Sequence, residues 1–151
     1  MPYLVGTDEA GYGPNLGPLV ITTTVWRVDS IKDTDLFSKL RGPVRSVDDE
    51  GADENDVVIG DSKHLYKPGK GLAGLEQGVF TCLAAVKKRP HTWKRIWKLL
   101  AAEDSASLAQ LPWYRDFDDK LPIDFSTHKI RRRSERLCLN ARRLCAYPRE
   151  S

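Results

Sequence analysis

The sequence predicts an α/β domain, because strand-like runs dominate its first part and helical patterns its second part. Residues 3–7, 19–28 and 57–59 are short apolar or β-branched runs, which are typical of strands. Residues 72–88 and 126–146 carry apolar side chains at helical spacing. A chain of 151 residues is long enough for one domain with its own core, so we predict a single domain over 1–151.

The composition excludes two broad classes. With 40% hydrophobic and 30% charged residues, the chain is neither disordered nor a membrane protein. The net charge of +3 is too small to identify a nucleic-acid partner, but the charges are unevenly distributed. Residues 48–56 are acidic, whereas 87–89, 94–95 and 129–136 are basic. The basic stretches fit either a phosphate-binding surface or ordinary solvated helix faces.

The first two strands predict a hairpin with a wide connection. Residues 3–7 read as a buried strand, and residues 19–28 are β-branched and aromatic. The glycines and prolines between them predict an irregular loop.

Polar sequence follows the predicted hairpin. Within residues 29–56 we predict one short helix, whose apolar residues are Leu36, Phe37 and Leu40. We expect the acidic part of this segment to be an exposed loop.

Helical patterns follow the third strand. Residues 72–88 predict a helix that ends before Pro90 and faces the sheet. Its predicted inner positions are Leu72, Leu75, Val79, Cys82, Leu83 and Val86. Residues 92–102 fit a helix or a strand, and we favour a helix.

The last pattern is a basic amphipathic helix over 126–146, which begins at Ser126-Thr127 as N-cap. Ile130, Leu137, Ala141 and Leu144 lie on one side of it.

Two adjacent acids, Asp8 and Glu9, stand between the first strand and the glycine loop. Their mutual repulsion would be offset by a divalent cation, and carboxylate oxygens suit Mg²⁺ or Mn²⁺. Gly11 and Gly13 leave the backbone open to close approach by a second chain. The alternative is an acidic strand end followed by an ordinary glycine turn, and the dipeptide alone does not decide between them.

The wider sequence resembles the type 2 ribonucleases H, the ribonuclease HII/HIII family. That family opens with an apolar strand, the pattern G-x-D-E-A-G-R-G-P-x-x-G-P and a β-branched strand. The matching residues are Gly6, Asp8, Glu9, Ala10, Gly11, Gly13, Pro14, Gly17 and Pro18. The family's second signature, D-S-K-x-L before a helix, matches residues 61–65. The resemblance is sharp over residues 3–28 and 57–66 and loose elsewhere.

The resemblance implies a ribonuclease H-like fold, a mixed sheet with antiparallel first strands and flanking helices. It implies that Asp8 and Glu9 are catalytic metal ligands for Mg²⁺ or Mn²⁺, the first two of four carboxylates. It also implies that Gly11, Tyr12 and Gly13 contact the ribose 2′-hydroxyl, the group that distinguishes RNA from DNA.

The second signature is implied to bind phosphate, through Lys63 and also Ser62. Asp61 belongs to this motif but is not a ligand in the family, and we interpret it as a turn or cap carboxylate.

The chain departs from the family in two places. Tyr12 replaces the usual arginine, which removes a cation near the phosphates and offers a ring that could stack. The third and fourth carboxylates have no clear match. Asp124 follows an apolar run but lacks the glycine, so a turn or helix-start role is the better interpretation. We therefore expect a truncated member that lacks the C-terminal part of its domain, and whether this chain alone is active stays open.

The expected function is cleavage of the RNA strand in RNA/DNA hybrids by two-metal hydrolysis, leaving 5′-phosphate and 3′-hydroxyl ends. The expected partners are such a hybrid or duplex DNA that contains ribonucleotides, with no membrane and a monomeric chain. Two alternatives are a non-catalytic nucleic-acid-binding domain on the same fold and an unrelated interaction domain. Three cysteines without a C-x-x-C motif predict reduced, semi-buried thiols and a cytoplasmic location.

Overall fold

The chain forms two compact units, Met1–Lys39 and Leu40–Ser151. Each is described here by itself. In the computed structural model the described residues are 1–9, 19–32, 34–40, 42–66, 68–69, 71–103 and 105–146.

Four strands and seven helices are present in this part of the chain. In chain order they are β1 (Tyr3–Glu9), β2 (Ile21–Arg27), α1 (Leu36–Lys39), β3 (Val44–Ser46), β4 (Val57–Ile59), α2 (Ser62–Leu65), α3 (Ala73–Ala85), α4 (Trp93–Leu100), α5 (Ser105–Leu108), α6 (Pro112–Arg115) and α7 (Thr127–Ala146).

The first unit is built on an antiparallel pair. β1 pairs with β2 from Tyr3↔Arg27 to Glu9↔Ile21, and Val28 N–H extends the ladder by donating to the Pro2 carbonyl at 3.0 Å. The β-branched residues of β2 favour this extended conformation. The predicted antiparallel first strands and the predicted short helix after them, α1, are therefore confirmed. The predicted burial of residues 3–7 is wrong: Leu4 alone is half-buried in β1, and the other residues of the strand are exposed.

The second unit contains a parallel pair, β3 and β4. The prediction placed β4 correctly but missed β3, because its three residues lie within a polar stretch after Gly42 and Pro43. The described strands form two separate two-stranded sheets, one antiparallel and one parallel. The structure thus confirms a mixed α/β class.

The core of the second unit lies between α3 and α7. Phe80 and Ala84 of α3 contact Ile130 of α7, and the side chains packed around them are Ile96, Leu121 and Phe125. The predicted helices over 72–88, 92–102 and 126–146 are confirmed as α3, α4 and α7.

The inner face of α3 was predicted wrongly. The helix buries Glu76, Phe80, Thr81 and Ala84, whereas Leu72, Val79, Cys82 and Val86 are exposed. The helical period was right, but its phase was set from the apolar residues alone, which left out the buried polar residues Glu76 and Thr81. A carboxylate can occupy the inner face here because backbone N–H groups surround it, as described below.

A buried carboxylate also lies in the predicted acidic loop. Asp56 is only 1% exposed, so the loop is not exposed throughout. Its Oδ1 lies 2.9 Å from Arg136 Nη1, and its Oδ2 lies 3.5 Å from Arg45 Nε and accepts from Asp53 N–H at 2.9 Å. Because Arg45 belongs to β3 and Arg136 to α7, this ion pair joins the parallel strands to the last helix.

Helix α7 continues the same connection through Arg133, which is 7% exposed. Its guanidinium donates to the Glu54 carbonyl and to Gln77 Oε1, and lies 5.0 Å from the ring centre of Phe125. Burial lowers the pKa of Arg133, and the nearby carboxylates oppose that shift.

Among the described residues, no helix combines the length and the apolar character that a bilayer crossing requires. Cys82 and Cys138 are both free thiols, and Cys138 is half-buried. The residue Cys82 is exposed, but partial burial raises the pKa of its thiol.

Helix α3 ends in a Schellman motif whose left-handed position is a lysine. Lys88 N–H donates to the Leu83 carbonyl at 2.8 Å, and Lys87 N–H donates to the Ala84 carbonyl at 3.0 Å. Lys87 has φ 61°, a region that glycine adopts at much lower cost.

We expect Lys87→Gly to raise the free energy of unfolding by about 1 kcal/mol and the Tm by about 2–4 °C, because the left-handed conformation is strained for a side chain. Denaturant and thermal unfolding would measure this. Lys88→Gly is the matched control: Lys88 is also exposed but lacks a positive φ, so its replacement should lower stability slightly. Equal effects of the two glycines would contradict the assignment.

Candidate metal and nucleic-acid site

The predicted metal ligands occupy the last two positions of β1. Asp8 pairs with Thr22 and Glu9 with Ile21, and both acids are exposed. The Asp8 carboxylate accepts from Glu9 N–H at 3.1 Å, and Thr22 Oγ1 donates to the Asp8 carbonyl at 3.3 Å. The hairpin therefore holds the backbone of both acids in a regular ladder and leaves their carboxylates accessible.

The pleat of the strand separates the directions of the two side chains. Successive residues of a strand project to opposite faces. Asp8 lies on the face that carries Gly6 and Thr22, whereas Glu9 shares its face with Ile21 and Val5. An ion bound by both would have to lie at the end or the edge of β1, where the two faces meet.

The predicted contacts to the 2′-hydroxyl cannot be placed. Gly11, Tyr12 and Gly13 lie outside the residues that the structure describes.

The predicted phosphate ligands lie in the second unit, at the start of the single-turn helix α2. Asp61 is its N-cap, and the Asp61 carboxylate accepts from Lys63 N–H at 2.8 Å. The interpretation of Asp61 as a cap is confirmed. Ser62 and Lys63 are both exposed, so the ammonium group of Lys63 is available to an anion.

In the part of the chain that the structure describes, no three His, Cys, Asp or Glu side chains are grouped so that they could hold a metal ion. The donor chemistry of Asp8 and Glu9 suits a hard cation, because carboxylate oxygens are the preferred ligands of Mg²⁺ and Mn²⁺. Two carboxylates are fewer oxygen ligands than such ions take, so further ligands are needed.

Asp124 has a structural role that the prediction had favoured. Its Oδ2 accepts from Leu72 N–H at 2.6 Å, at the start of α3. It is therefore a helix-start acid, although it serves α3 rather than α7, the helix that follows it in sequence.

Glu76 makes the reciprocal connection, which the sequence analysis missed. Its carboxylate accepts from Ile123 N–H at 2.5 Å, Asp124 N–H at 2.8 Å and Phe125 N–H at 2.9 Å. Three consecutive amides thus share one buried acceptor. The sequence did contain an indication of this role: Glu76 lies four residues before Phe80, so the two share one face of α3.

The basic stretch over 129–136 does not form one solvated face. Arg133 points inward and Arg136 is half-buried against Asp56, as described above. Lys129, Arg131 and Arg132 are exposed, and Arg131 pairs with Glu135 at 3.1 Å. Either interpretation of this stretch, a phosphate surface or a solvated face, therefore applies to its exposed residues and not to Arg133 and Arg136.

Comparison of the chain with protein families, with curated proteins and with solved structures found no match.

We expect Glu76→Ala to lower the free energy of unfolding by about 3 kcal/mol, because three amide N–H groups lose their acceptor. Urea denaturation would measure the change. Glu76→Gln keeps one carbonyl oxygen and should lose less. Glu103→Ala, at an exposed position, is the control and should stay within about 0.5 kcal/mol of the native chain. An unchanged midpoint for Glu76→Ala would show that the three hydrogen bonds contribute nothing.

Proposed function

We propose that this chain is part of a metal-dependent nuclease with a ribonuclease H-like fold that cuts the RNA strand of RNA/DNA hybrids. The observation that carries the proposal is the position of Asp8 and Glu9, exposed at the end of β1 in an antiparallel pair. This is the structural context in which the resembling family's first signature would be expected. The products would carry 5′-phosphate and 3′-hydroxyl ends.

The second signature supports the same proposal from the other unit. The Asp61 carboxylate accepts from Lys63 N–H, and this cap orients the helix turn that carries Ser62 and Lys63. Lys63 would neutralise a phosphate of the bound strand as a mobile point charge. Asp61 is thus a positioning residue, and its carboxylate is already used.

The chemistry needs Mg²⁺ or Mn²⁺, which when bound lowers the pKa of the attacking water and stabilises the leaving oxygen. Asp8 and Glu9 would bind through their carboxylate oxygens at the end or edge of β1. Because Asp124 accepts the N–H of Leu72, it is not proposed as a third ligand. The remaining ligands of the four-carboxylate set are not assigned.

The substrate would be recognised by backbone and phosphate contacts. By the resemblance, Gly11, Tyr12 and Gly13 would contact the 2′-hydroxyl, a contact that needs only main-chain atoms. The phenol ring of Tyr12 would stack on a sugar or base in place of an arginine's charge. Because Tyr12 replaces an arginine, we expect this chain to differ from the resembling family mainly in substrate preference. That preference is between a long hybrid and a single ribonucleotide in DNA.

We expect Mg²⁺- or Mn²⁺-dependent cleavage of an end-labelled RNA/DNA hybrid. Asp8→Asn should reduce the cleavage rate at least about 100-fold, because loss of a residue that only supports a metal ligand already reduces activity by up to about 100-fold. Gel analysis of product ends would measure both. The control is Asp29→Asn, at another exposed acid of the first unit. Cleavage that survives Asp8→Asn unchanged would remove Asp8 from the mechanism.

A second candidate function is hybrid binding without cleavage, by a domain of the same fold. The specific observation in its favour is the exposed basic group Lys129, Arg131 and Arg132 on α7. These cations could neutralise phosphates whether or not a metal site is complete.

For this second candidate we expect hybrid affinity measured in EDTA to fall linearly with the logarithm of salt concentration. Arg132→Gln should reduce that slope by about 0.9 if one phosphate contact is lost. Lys32→Gln, at an exposed cation of the first unit, is the control and should leave the slope unchanged. Binding that ignores salt would exclude a phosphate surface, and cleavage in the metal-containing assay would favour the first candidate.

A further inference from the structure

A small aromatic cavity lies in the second unit, away from both signatures in sequence. Its volume is about 210 Å³. Its walls include four aromatic side chains and two lysines: Trp93, Trp97, Tyr114, Phe117, Lys94 and Lys98. The volume is below the roughly 300 Å³ at which sites for drug-sized ligands begin, so the cavity suits a single ring system.

The cavity belongs to an excursion of the chain, residues 92–120, that is closed at its base. Trp93 N–H donates to the Asp119 carbonyl at 3.0 Å, and Leu121 N–H donates to the His91 carbonyl at 3.0 Å. Thr92 and Lys120 form an antiparallel bridge between these two bonds. The two ends of the excursion are therefore joined by backbone hydrogen bonds.

Asp118 fixes the start of α4 at this base. Its Oδ1 accepts from Lys94 N–H at 2.8 Å, which holds the pKa of Asp118 below its usual value. With the start of α4 held, Trp93 and Trp97 lie one helical turn apart on the same side of the helix.

The aromatic rings are fixed by edge-to-face contacts. The ring centre of Trp93 lies 5.7 Å from that of Trp97 and 5.6 Å from that of Phe117, with interplanar angles of 77° in both pairs. These contacts make a rigid aromatic wall, which loses little entropy when a flat ligand packs against it.

The charge of the cavity selects the ligand. Lys94 and Lys98 are exposed at its wall, and no described Asp or Glu side chain lines it, which disfavours a cationic ligand and favours an anionic one. A flat ring joined to an anionic backbone matches the aromatic walls and the two lysines together. Unpaired bases of single-stranded nucleic acid have this combination.

We propose that the cavity binds an unpaired nucleobase of a single-stranded nucleic acid, with Lys94 and Lys98 contacting the adjoining phosphates. This function is separate from hybrid cleavage and does not depend on Asp8 or Glu9. It requires no metal.

The test compares two labelled ten-nucleotide strands of equal charge, a deoxyadenosine strand and an abasic strand, binding to the full chain in EDTA. Fluorescence anisotropy measures both affinities. The base-bearing strand should bind at least about fivefold more tightly, since stacking of even one base supplies that factor. Equal affinities for the two strands would overturn the proposal whatever the variants show.

Two variants then locate the site. Tyr114→Ala should abolish the preference for the base-bearing strand, and Tyr114→Phe, which keeps the ring, should retain it. Lys98→Gln should weaken both strands alike and reduce the salt dependence.

The matched control is Tyr66→Ala, which removes an exposed tyrosine ring of the same unit that does not line the cavity. It should leave the preference intact. Loss of the preference in Tyr66→Ala, or its survival in a folded Tyr114→Ala protein, would contradict the assignment to this cavity. If circular dichroism shows that Tyr114→Ala unfolds, Tyr114→Leu, which keeps an apolar side chain but removes the ring, replaces it and should abolish the preference.

Discussion

The carboxylate of Glu76 is the constraint on which the second unit depends. It is 6% exposed, and it compensates for its burial by accepting three consecutive amides of the segment that leads into α7. Asp124, in that same segment, returns a hydrogen bond to the start of α3. The two acids therefore tie α3 and the approach to α7 together in both directions. Phe80, one turn beyond Glu76, is thereby placed against Ile130.

Much of the fold followed from local pattern, and the exceptions have a common physical cause. β-branched runs predict the hairpin, and helical spacing predicts α3, α4 and α7. The position of Asp61 before a helix turn predicts its role as a cap. The strand Val44–Ser46 was missed because it has one apolar residue within a polar stretch, whereas Val57–Ile59 is apolar throughout.

Buried polar residues account for the other failures. Asp56 and Arg133 lie in stretches that were predicted to face outward, and Glu76 was left out of the inner face of α3. Each of the three is buried with partners distant in sequence. Burial of a charge depends on those partners, which no local pattern contains. The wrong phase of α3 is a consequence of the same error.

The sequence names Asp8 and Glu9 as candidate metal ligands, which stays a prediction, but it does not give their geometry. Adjacent acids suggest a pair, whereas in a regular strand they begin on opposite faces. A ladder that includes Glu9 therefore favours an ion at the strand end over one clasped on a single face. Asp124, the one later acid that resembled a further ligand, already accepts a hydrogen bond, so sequence position alone could not separate a metal ligand from a helix-start acid.

The closed base of residues 92–120 has a consequence for how this protein can vary. Because the chain enters and leaves through adjacent backbone positions, its inner loops can lengthen or shorten without separating His91 from Leu121. Doubling a flexible loop costs only about 0.6 kcal/mol in closure entropy. Ile96 is the residue of the excursion that must be kept, because it packs against Phe80, Ala84 and Ile130 of the core. Shortening a loop within the excursion therefore leaves its base closed, whereas excising the whole excursion would open a hole beside the core.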